Sequence, residues 1–394
     1  MKIRNFFFAT LLAGMISCQQ SPYKGVDTQL VPLVEQTIEA AGTNGTQLRT
    51  ALDSINPEYR NGMAFLIAYM PKGDRDTLSA DFLVKQVELA YKARETFAWT
   101  KALPDSIFLN DVLPYASLDE TRENWREPFF EMLYPLVKDS KDMYAAIDTV
   151  NKALRELVKV EYNTKRNKPN QSPFESMSIN MASCSGLSIL LTDAFRAVGI
   201  PSRIAGTPLW VSKEGNHNWS EVWLDGQWYF TEYYPDALNK SWFLDRAAKA
   251  DKSDPIYWIY ASSYKPTGVH FPMVWDMDNK DIPAYDVTDE YIRIYAEQQA
   301  AQQSGVSVVI RMYKNDQCSL DSEGRLAENI VIKNSAGEIV AQGTTAGPTA
   351  DMNDYLTVRL PENETFTLEY PTAKGSKTMT LKTDKAQDIR LAFE

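Results

Sequence analysis

Between Ser79 and Trp99 the apolar residues Leu83, Val87, Ala90 and Tyr91 recur at intervals of three and four, and Phe97 continues the stripe. That spacing puts them on one face of a helix and predicts an element packed by that face against a core. Met143 to Val160 repeats the pattern, with charge on the other side. The chain from about Tyr23 to Asn170 reads as helical. The exception is Trp99 to Arg126, where Pro104, Pro114 and many aromatics predict an irregular segment folded onto the next domain. A further helix begins at Cys184. Ser183 is a suitable N-cap, Leu187, Leu190, Leu191, Ala194 and Val198 keep helical spacing, and Gly199 and Pro201 end it.

The period then changes from helical to two. In His217-Asn-Trp219-Ser-Glu221-Val-Trp223 alternate residues share one face of a strand, and Trp228-Tyr-Phe-Thr-Glu232 is a second such run. Asp225-Gly226 between them is a two-residue hairpin signal. Counting outward from that turn pairs Trp223 with Trp228, Glu221 with Phe230 and Trp219 with Glu232. The last ninety or so residues hold seven short alternating segments separated by turn residues: Val306-Tyr313, Asn329-Lys333, Ile339-Gln342, Tyr355-Leu360, Thr365-Tyr370, Thr378-Lys382 and Asp388-Phe393. Seven such strands predict a β-sandwich. Its boundary is expected in the polar stretch Glu297-Gly305, where no apolar period continues.

At the amino terminus Lys2 and Arg4 precede an apolar run from Phe6 to Ile16 that stops at Ser17-Cys18. This reads as an export signal over residues 1–17, too short for a spanning helix of about 20 residues. Met15-Ile-Ser-Cys18 resembles a lipobox, which implies acylation of Cys18 and a lipid anchor in a bacterial cell envelope. The chain has 394 residues, 44% of them hydrophobic, enough for two or three domains with sizeable cores. Its net charge of -11 disfavours a phosphate backbone as partner, so nucleic acid is not expected. With three cysteines and two well-separated histidines, no ligand spacing for a metal is present, and no cofactor is expected. Cys318 reads as structural. Asp276 to Asp281 lacks the glycine that a calcium loop needs at its sixth position.

The chemistry concentrates between Cys184 and Glu232. A cysteine in the first turn of a helix meets unpaired amides and the positive end of the helix dipole, which favour a thiolate. The same amides could hold an oxyanion. His217 is the diagonal neighbour of Glu232 across the hairpin, at a backbone separation of about 7 Å that a Glu side chain can bridge. A carboxylate placed so fixes the tautomer and supports the imidazolium. Nucleophile, base and orienting carboxylate therefore occur in one short span. Seven of the nine tryptophans, Trp210 to Trp275, surround it and suggest an aromatic groove, with Trp210 and Trp219 as substrate-binding candidates.

The segment from Met181 to Pro235 resembles the transglutaminase-like superfamily, relatives of papain-type thiol enzymes. The matching text is Ser-Cys184-Ser-Gly-Leu-Ser, Ala197-Val-Gly-Ile-Pro-Ser-Arg203 with Gly206, His217-Asn-Trp-Ser-Glu-Val-Trp, and Gly226-Gln-Trp-Tyr-Phe-Thr-Glu232. The resemblance implies an α+β fold in which a cysteine helix packs on an antiparallel sheet, with Cys184 as nucleophile, His217 as base and Glu232 as third member. That family more often has Asp at the third position, and Asp236 is a substitute. For an oxyanion-stabilising or substrate-binding side chain ahead of the cysteine, the candidates are Asn180 and Gln171. The resulting organisation is a signal peptide at 1–17, a helical region at 18–165, a transglutaminase-like (papain-like) core at 166–300 and a β-sandwich at 304–394. The expected function is an envelope thiol enzyme that cleaves an amide in a peptide, protein or peptidoglycan-derived substrate, or transfers its acyl group. The rival expectation is an inactive relative serving as a binding or scaffold module.

Overall fold

Helix α1 (Ala80–Thr96) starts where Ser79 Oγ accepts the Phe82 N–H at 3.2 Å, and its stripe Leu83, Val87, Ala90 and Ala93 is fully buried. α2 (Arg126–Val137), α3 (Met143–Val158), α4 (Pro173–Ile179) and α5 (Cys184–Ala197) follow. Asp142 caps α3 through the Ala145 N–H, and Pro173 opens α4 at a position where no backbone donor is lost. The structure, a computed structural model, describes residues 23–213, 215–303, 305–318, 324–350 and 355–394; residues 1–22, with the expected signal and Cys18, lie outside them. It divides into one unit that ends at Ile292 and another from Arg293 to Glu394.

The first unit has one principal core. Leu187, Leu190, Leu191 and Ala194 of α5 share it with Phe129 and Leu133 of α2, Ile147 and Val150 of α3, and Leu83 and Val87 of α1. The helical region and the cysteine helix are therefore not separate bodies, because each supplies the apolar face the other lacks. Every residue of α5 from Ser185 to Ala197 is buried. Each fully buried Leu there contributes about 1.5–3 kcal/mol.

Burial of α5 on all sides forces its polar groups to find internal partners. Arg196 gives Nε to the carbonyls of Asp111 and Ser202 and Nη1 to those of Pro114 and Ala116. Arg126 donates to the carbonyls of Arg196, Leu113 and Pro114. Two buried guanidinium groups thus tie the aromatic stretch to the end of α5. That stretch, expected to be irregular, holds two short helices (Ala98–Lys101 and Asp105–Asp111) before the carbonyl-bearing segment that the arginines bind. Burial pulls Arg126 down to about 9 and pushes the Asp193 carboxyl well above its usual range.

Six strands form an antiparallel sheet against α5: β1 (Ser202–Thr207), β2 (His217–Leu224), β3 (Gln227–Thr231), β4 (Tyr260–Ser262), β5 (Val269–His270) and β6 (Pro283–Asp286). Their spatial order is β3-β2-β1-β4-β6-β5. Asp225 and Gly226 both take positive φ, 51° and 89°, so the two-residue turn sets the register, with Trp223 opposite Trp228 and Glu221 opposite Phe230. Helix α6 (Thr288–Gln303) occupies most of the polar stretch where no period was expected. Its first turns are anchored by buried Tyr291 and Ile294, and the Gln, Ala and Glu residues that follow prolong the helix by intrinsic preference without an apolar stripe of their own.

The second unit contains β7 (Val306–Tyr313), β8 (Asn329–Lys333), β9 (Ile339–Thr344), β10 (Leu356–Leu360), β11 (Thr365–Thr372), β12 (Gly375–Lys382) and β13 (Gln387–Ala392). They make a four-stranded sheet, β9-β8-β11-β12, and a three-stranded sheet, β10-β7-β13. Alternate residues of both, such as Val308 and Ile310 from one and Ile332 and Leu368 from the other, meet in a single core. The fold class is α+β.

Gly199 joins α5 to β1 with φ +72°, and a Cβ built on it would lie 2.1 Å from Thr100 Oγ1, whose hydroxyl donates to the Gly199 carbonyl at 2.8 Å. Gly199→Ala is expected to lower stability by about 2 kcal/mol or more through left-handed strain and overpacking. Urea unfolding of the two chains checks this, with an unchanged midpoint as the contrary result.

Candidate active site

The site grows from three local features. Ser183 Oγ accepts the Gly186 N–H at 3.0 Å, which fixes the start of α5 one residue before Cys184. Gly206 of β1 lies opposite Asn218 of β2, and the missing side chain leaves room for the Asn218 amide, whose Oδ1 would be 1.9 Å from a Cβ there. That amide crosses to donate to Ser185 Oγ at 2.7 Å. Helix and strand are thereby joined beside the sulfur. The third feature is the β2-β3 register, which carries Glu232 past the end of β3 to the level of His217.

His217 Nε2 and Glu232 Oε1 are 2.7 Å apart. The second carboxylate oxygen, Oε2, accepts the Ser241 hydroxyl. With Nε2 engaged, Nδ1 is the ring nitrogen left to meet Cys184, whose sulfur interacts with His217 and with the backbone N–H groups of Asn218 and Ser185. Burial by itself would raise the thiol, but the bond and charge of His217, with those two amides, hold it below its ordinary value. Burial likewise opposes the imidazolium, yet the bonds to Cys184 and Glu232 push His217 up to about 9. Both shifts favour the same ion pair, thiolate and imidazolium, with Glu232 behind it.

Aromatic rings hold the imidazole. Trp219, Trp242 and Phe243 lie at 5.6, 5.0 and 5.4 Å between centroids. Trp219 is buried, stacks on Phe243 at 4.1 Å and donates Nε1 to Tyr291, whose hydroxyl donates to Glu221 Oε1 at 2.7 Å. A cavity of about 390 Å³ opens at the sulfur, walled by Tyr162, Leu187, Tyr233, Tyr234 and Trp242 among others.

The sequence-derived residues divide. Cys184, His217 and Glu232 come together, and Trp219 lines the cavity from beneath. Trp210 does not line it: its ring is 4% exposed, packed behind Trp219 and Phe243 as core. Asn180 does not reach it either, because the residue takes φ 53° to end α4 and its carbonyl accepts the Glu161 N–H. Gln171 is buried, with Nε2 given to the Met181 carbonyl. Asp236 is exposed and bonds its neighbour Ala237, and His270 sits exposed on β5. Cys184 and Cys318 are both free thiols. Among the described residues no group of three or more His, Cys, Asp or Glu side chains is placed to hold a metal.

Sequence reading passed over Ser241 and the two tyrosines Tyr162 and Tyr234, and included Trp242 only as one of the seven tryptophans of an aromatic groove. Ser241 and Trp242 lie nine and ten residues after Glu232 in a segment without period, so nothing in the spacing returned them to the site. Asn218 carried a usable signal, since alternation after His217 turns it to the face that meets α5.

Comparison with known proteins adds the family. No curated protein matches the chain. Among solved structures, a candidate cysteine protease from Cytophaga hutchinsonii shares 17% identity over 37% of this chain and 47% of its own, with a TM-score of 0.28. Red sea bream transglutaminase shares 11% over 67% of this chain and 58% of its own, with a TM-score of 0.26. The chain thus spans about half the length of these two structures. The family model of the transglutaminase-like superfamily matches residues 131–233, so the segment that carries Cys184, His217 and Glu232 is a transglutaminase-like domain.

Proposed function

We propose that the chain is a thiol enzyme that cleaves an amide through Cys184, His217 and Glu232. The observation that carries this is the His217 imidazole set between the Cys184 sulfur and the Glu232 carboxylate, which it meets at 2.7 Å, at the floor of an open cavity. In the reaction, the Cys184 thiolate attacks the amide carbon and its electron pair forms the C–S bond, while the carbonyl π pair moves to oxygen. Of the amides at the start of α5, those of Ser185 and Gly186 are taken by the Cys184 sulfur and by Ser183 Oγ, so the N–H of Cys184 itself is the available donor to that oxyanion. Collapse of the intermediate breaks the C–N bond, and His217 gives its proton to the leaving amine. Water, deprotonated by the now neutral His217, then attacks the thioester and regenerates thiolate and imidazolium. An amine in place of water would give acyl transfer by the same steps, and hydrolysis is favoured because water is in excess.

Glu232 serves by position. It holds Nε2 so that Nδ1 faces the sulfur, and its charge supports the imidazolium. Substrate is a peptide, protein or peptidoglycan-derived amide, with Tyr162, Tyr234 and Trp242 offering exposed ring area beside the nucleophile. The exported, lipid-anchored state inferred from residues 1–18 belongs to this proposal, and among the described residues no helix is long and apolar enough to cross a membrane.

Three outcomes are expected. Cys184 is expected to react with iodoacetamide at pH of about 6 to 7 faster than a free thiol, and His217→Ala to slow that reaction about tenfold or more, since burial alone then raises the thiol. A rate no faster than a free thiol, unchanged by His217→Ala, favours the inactive scaffold reading. The pair also sets a pH window. A histidine raised from 6.5 to about 9 contributes stability that is fully present below 6.5 and lost as pH rises through about 9. Amide cleavage is therefore expected to fall above about pH 9, and Glu232→Gln to lower kcat by about 10²–10⁴ and shift that alkaline limb to lower pH. For the anchor, metabolic labelling with an alkyne fatty acid is expected to mark the wild-type chain and not Cys18→Ser. Equal labelling of both chains removes Cys18 as the acylated residue.

A further inference from the structure

A second concavity in the first unit, about 870 Å³, is lined by Arg203, Asp111, Trp228, Tyr285, Phe65 and Lys265 among others, and by none of Cys184, His217 and Glu232. Its floor is unusual in what it leaves unused. Arg203 is only 6% exposed; Nε donates to Glu221 Oε2 at 2.6 Å and the guanidinium stacks over Trp228 at 3.9 Å. These contacts lock the plane of the group. Among the described residues, however, neither terminal amino group of Arg203 has a hydrogen-bond partner. An immobilised guanidinium edge with free donors, nine-tenths buried and lining a groove, has the geometry that receives a carboxylate in a bidentate pair.

Asp111 supplies the complement. It is 3% exposed and lines the same groove, and among the described residues its carboxylate accepts only the Asn110 Nδ2–H at 3.1 Å. Burial pushes it up to about 6 against the pull of Arg203 and Arg196. Arg196 spends its Nε and Nη1 donors on four backbone carbonyls. A cationic donor from outside would restore to Asp111 what burial removes. Arg203 and Asp111 line the same groove, and Arg203 exerts the strongest pull of any charge on Asp111. Phe65 and the half-exposed ring of Tyr285 wall the space beyond.

We propose that this groove binds a zwitterionic α-amino acid, its carboxylate on the free edge of Arg203, its ammonium on Asp111 and its side chain toward Phe65 and Tyr285. A peptide amine or carboxyl terminus carries only one of the two charges, and a neutral saccharide carries neither. Arg203 keeps its pair with Glu221 in every case, so such ligands leave unmet either its free terminal donors or the Asp111 carboxylate, which costs affinity. The inference is independent of the thiol chemistry, since it uses none of the residues assigned to it.

Isothermal titration of the full chain at neutral pH tests it, with the L and D forms of alanine, leucine and phenylalanine as probes, beside their N-acetyl and carboxamide derivatives and a chito-oligosaccharide. At least one free amino acid is expected to bind, with both of its blocked derivatives weaker by about tenfold or more. Asp111→Asn, which keeps shape, and Arg203→Lys, which keeps charge opposite Glu221 but loses the planar fork, are each expected to weaken binding by about tenfold or more. Cys184→Ala is expected to leave the Kd unchanged, which separates this groove from the thiol site. The proposal is overturned if no free amino acid binds, if blocked forms bind as well as free ones, if the oligosaccharide alone binds, or if Cys184→Ala abolishes binding. The comparison of free and blocked probes needs only the native chain, so it decides the matter even where a variant does not fold.

Discussion

The first unit depends on where α5 begins and on its having no exposed side on which to turn. A helix with one buried stripe tolerates small rotations, whereas α5 is packed all round and each rotation would strand a polar group. Ser188 and Thr192 illustrate the constraint: Ser220 of β2 donates to the Ser188 carbonyl at 3.2 Å and its hydroxyl lies 3.1 Å from that of Thr192. Moving α5 by a fraction of a turn breaks both, and each buried group left unpaired costs about 1–3 kcal/mol. The sulfur inherits that precision. Cys184 is the first helical residue, so its distance from β2 is set by contacts made one to three turns further along.

Much of this could be read in the residues because it is local. The cap at Ser183, the spacing of Leu187, Leu190 and Leu191, and the Asp225-Gly226 turn each act over a few positions, and the turn fixes a register that reaches Glu232 by counting. The seven strands of the second unit were visible for the same reason, since alternation and turn residues specify each one without reference to the others. What stayed hidden was long-range. Trp210 and Trp242 look equivalent in composition, yet the first is core and the second is 58% exposed beside the imidazole. Both rings pack on Phe243 and on each other, so only tertiary packing decides which is covered. The polar stretch before Gly305 read as a domain boundary because it carries no apolar period, yet a helix anchored upstream at Tyr291 and Ile294 runs on through most of it by intrinsic preference.

The shared face of β2 connects the two concavities. His217, Trp219 and Glu221 succeed one another at every second residue, with Trp219 against the imidazole and Glu221 held by both Tyr291 and Arg203. Arg203 thus pairs with a residue four positions from His217, roughly 13 Å along the strand. A buried ion pair is a poor source of stability, because desolvation cancels most of its attraction. Its better-supported use is to fix one arrangement. Here it holds the guanidinium in plane on one side and, through Tyr291 and Trp219, the wall behind the imidazole on the other.

That the carboxylate beside His217 is a Glu and not a shorter Asp has a geometric reading. One more methylene gives Glu232 another rotatable bond, and a carboxylate on a longer arm reaches a diagonal neighbour at the cost of freedom about its own axis. If that freedom remained, the imidazole would be supported by an acceptor in several orientations, and the preference for one tautomer would weaken. Ser241 removes it by donating to Oε2 while Oε1 faces His217, so both oxygens are assigned and the carboxylate plane is fixed. The longer side chain and the clamping hydroxyl therefore belong together. An Asp introduced at 232 would be too short for the diagonal and would leave Ser241 without its acceptor, which is a physical reason for this chain to carry Glu there.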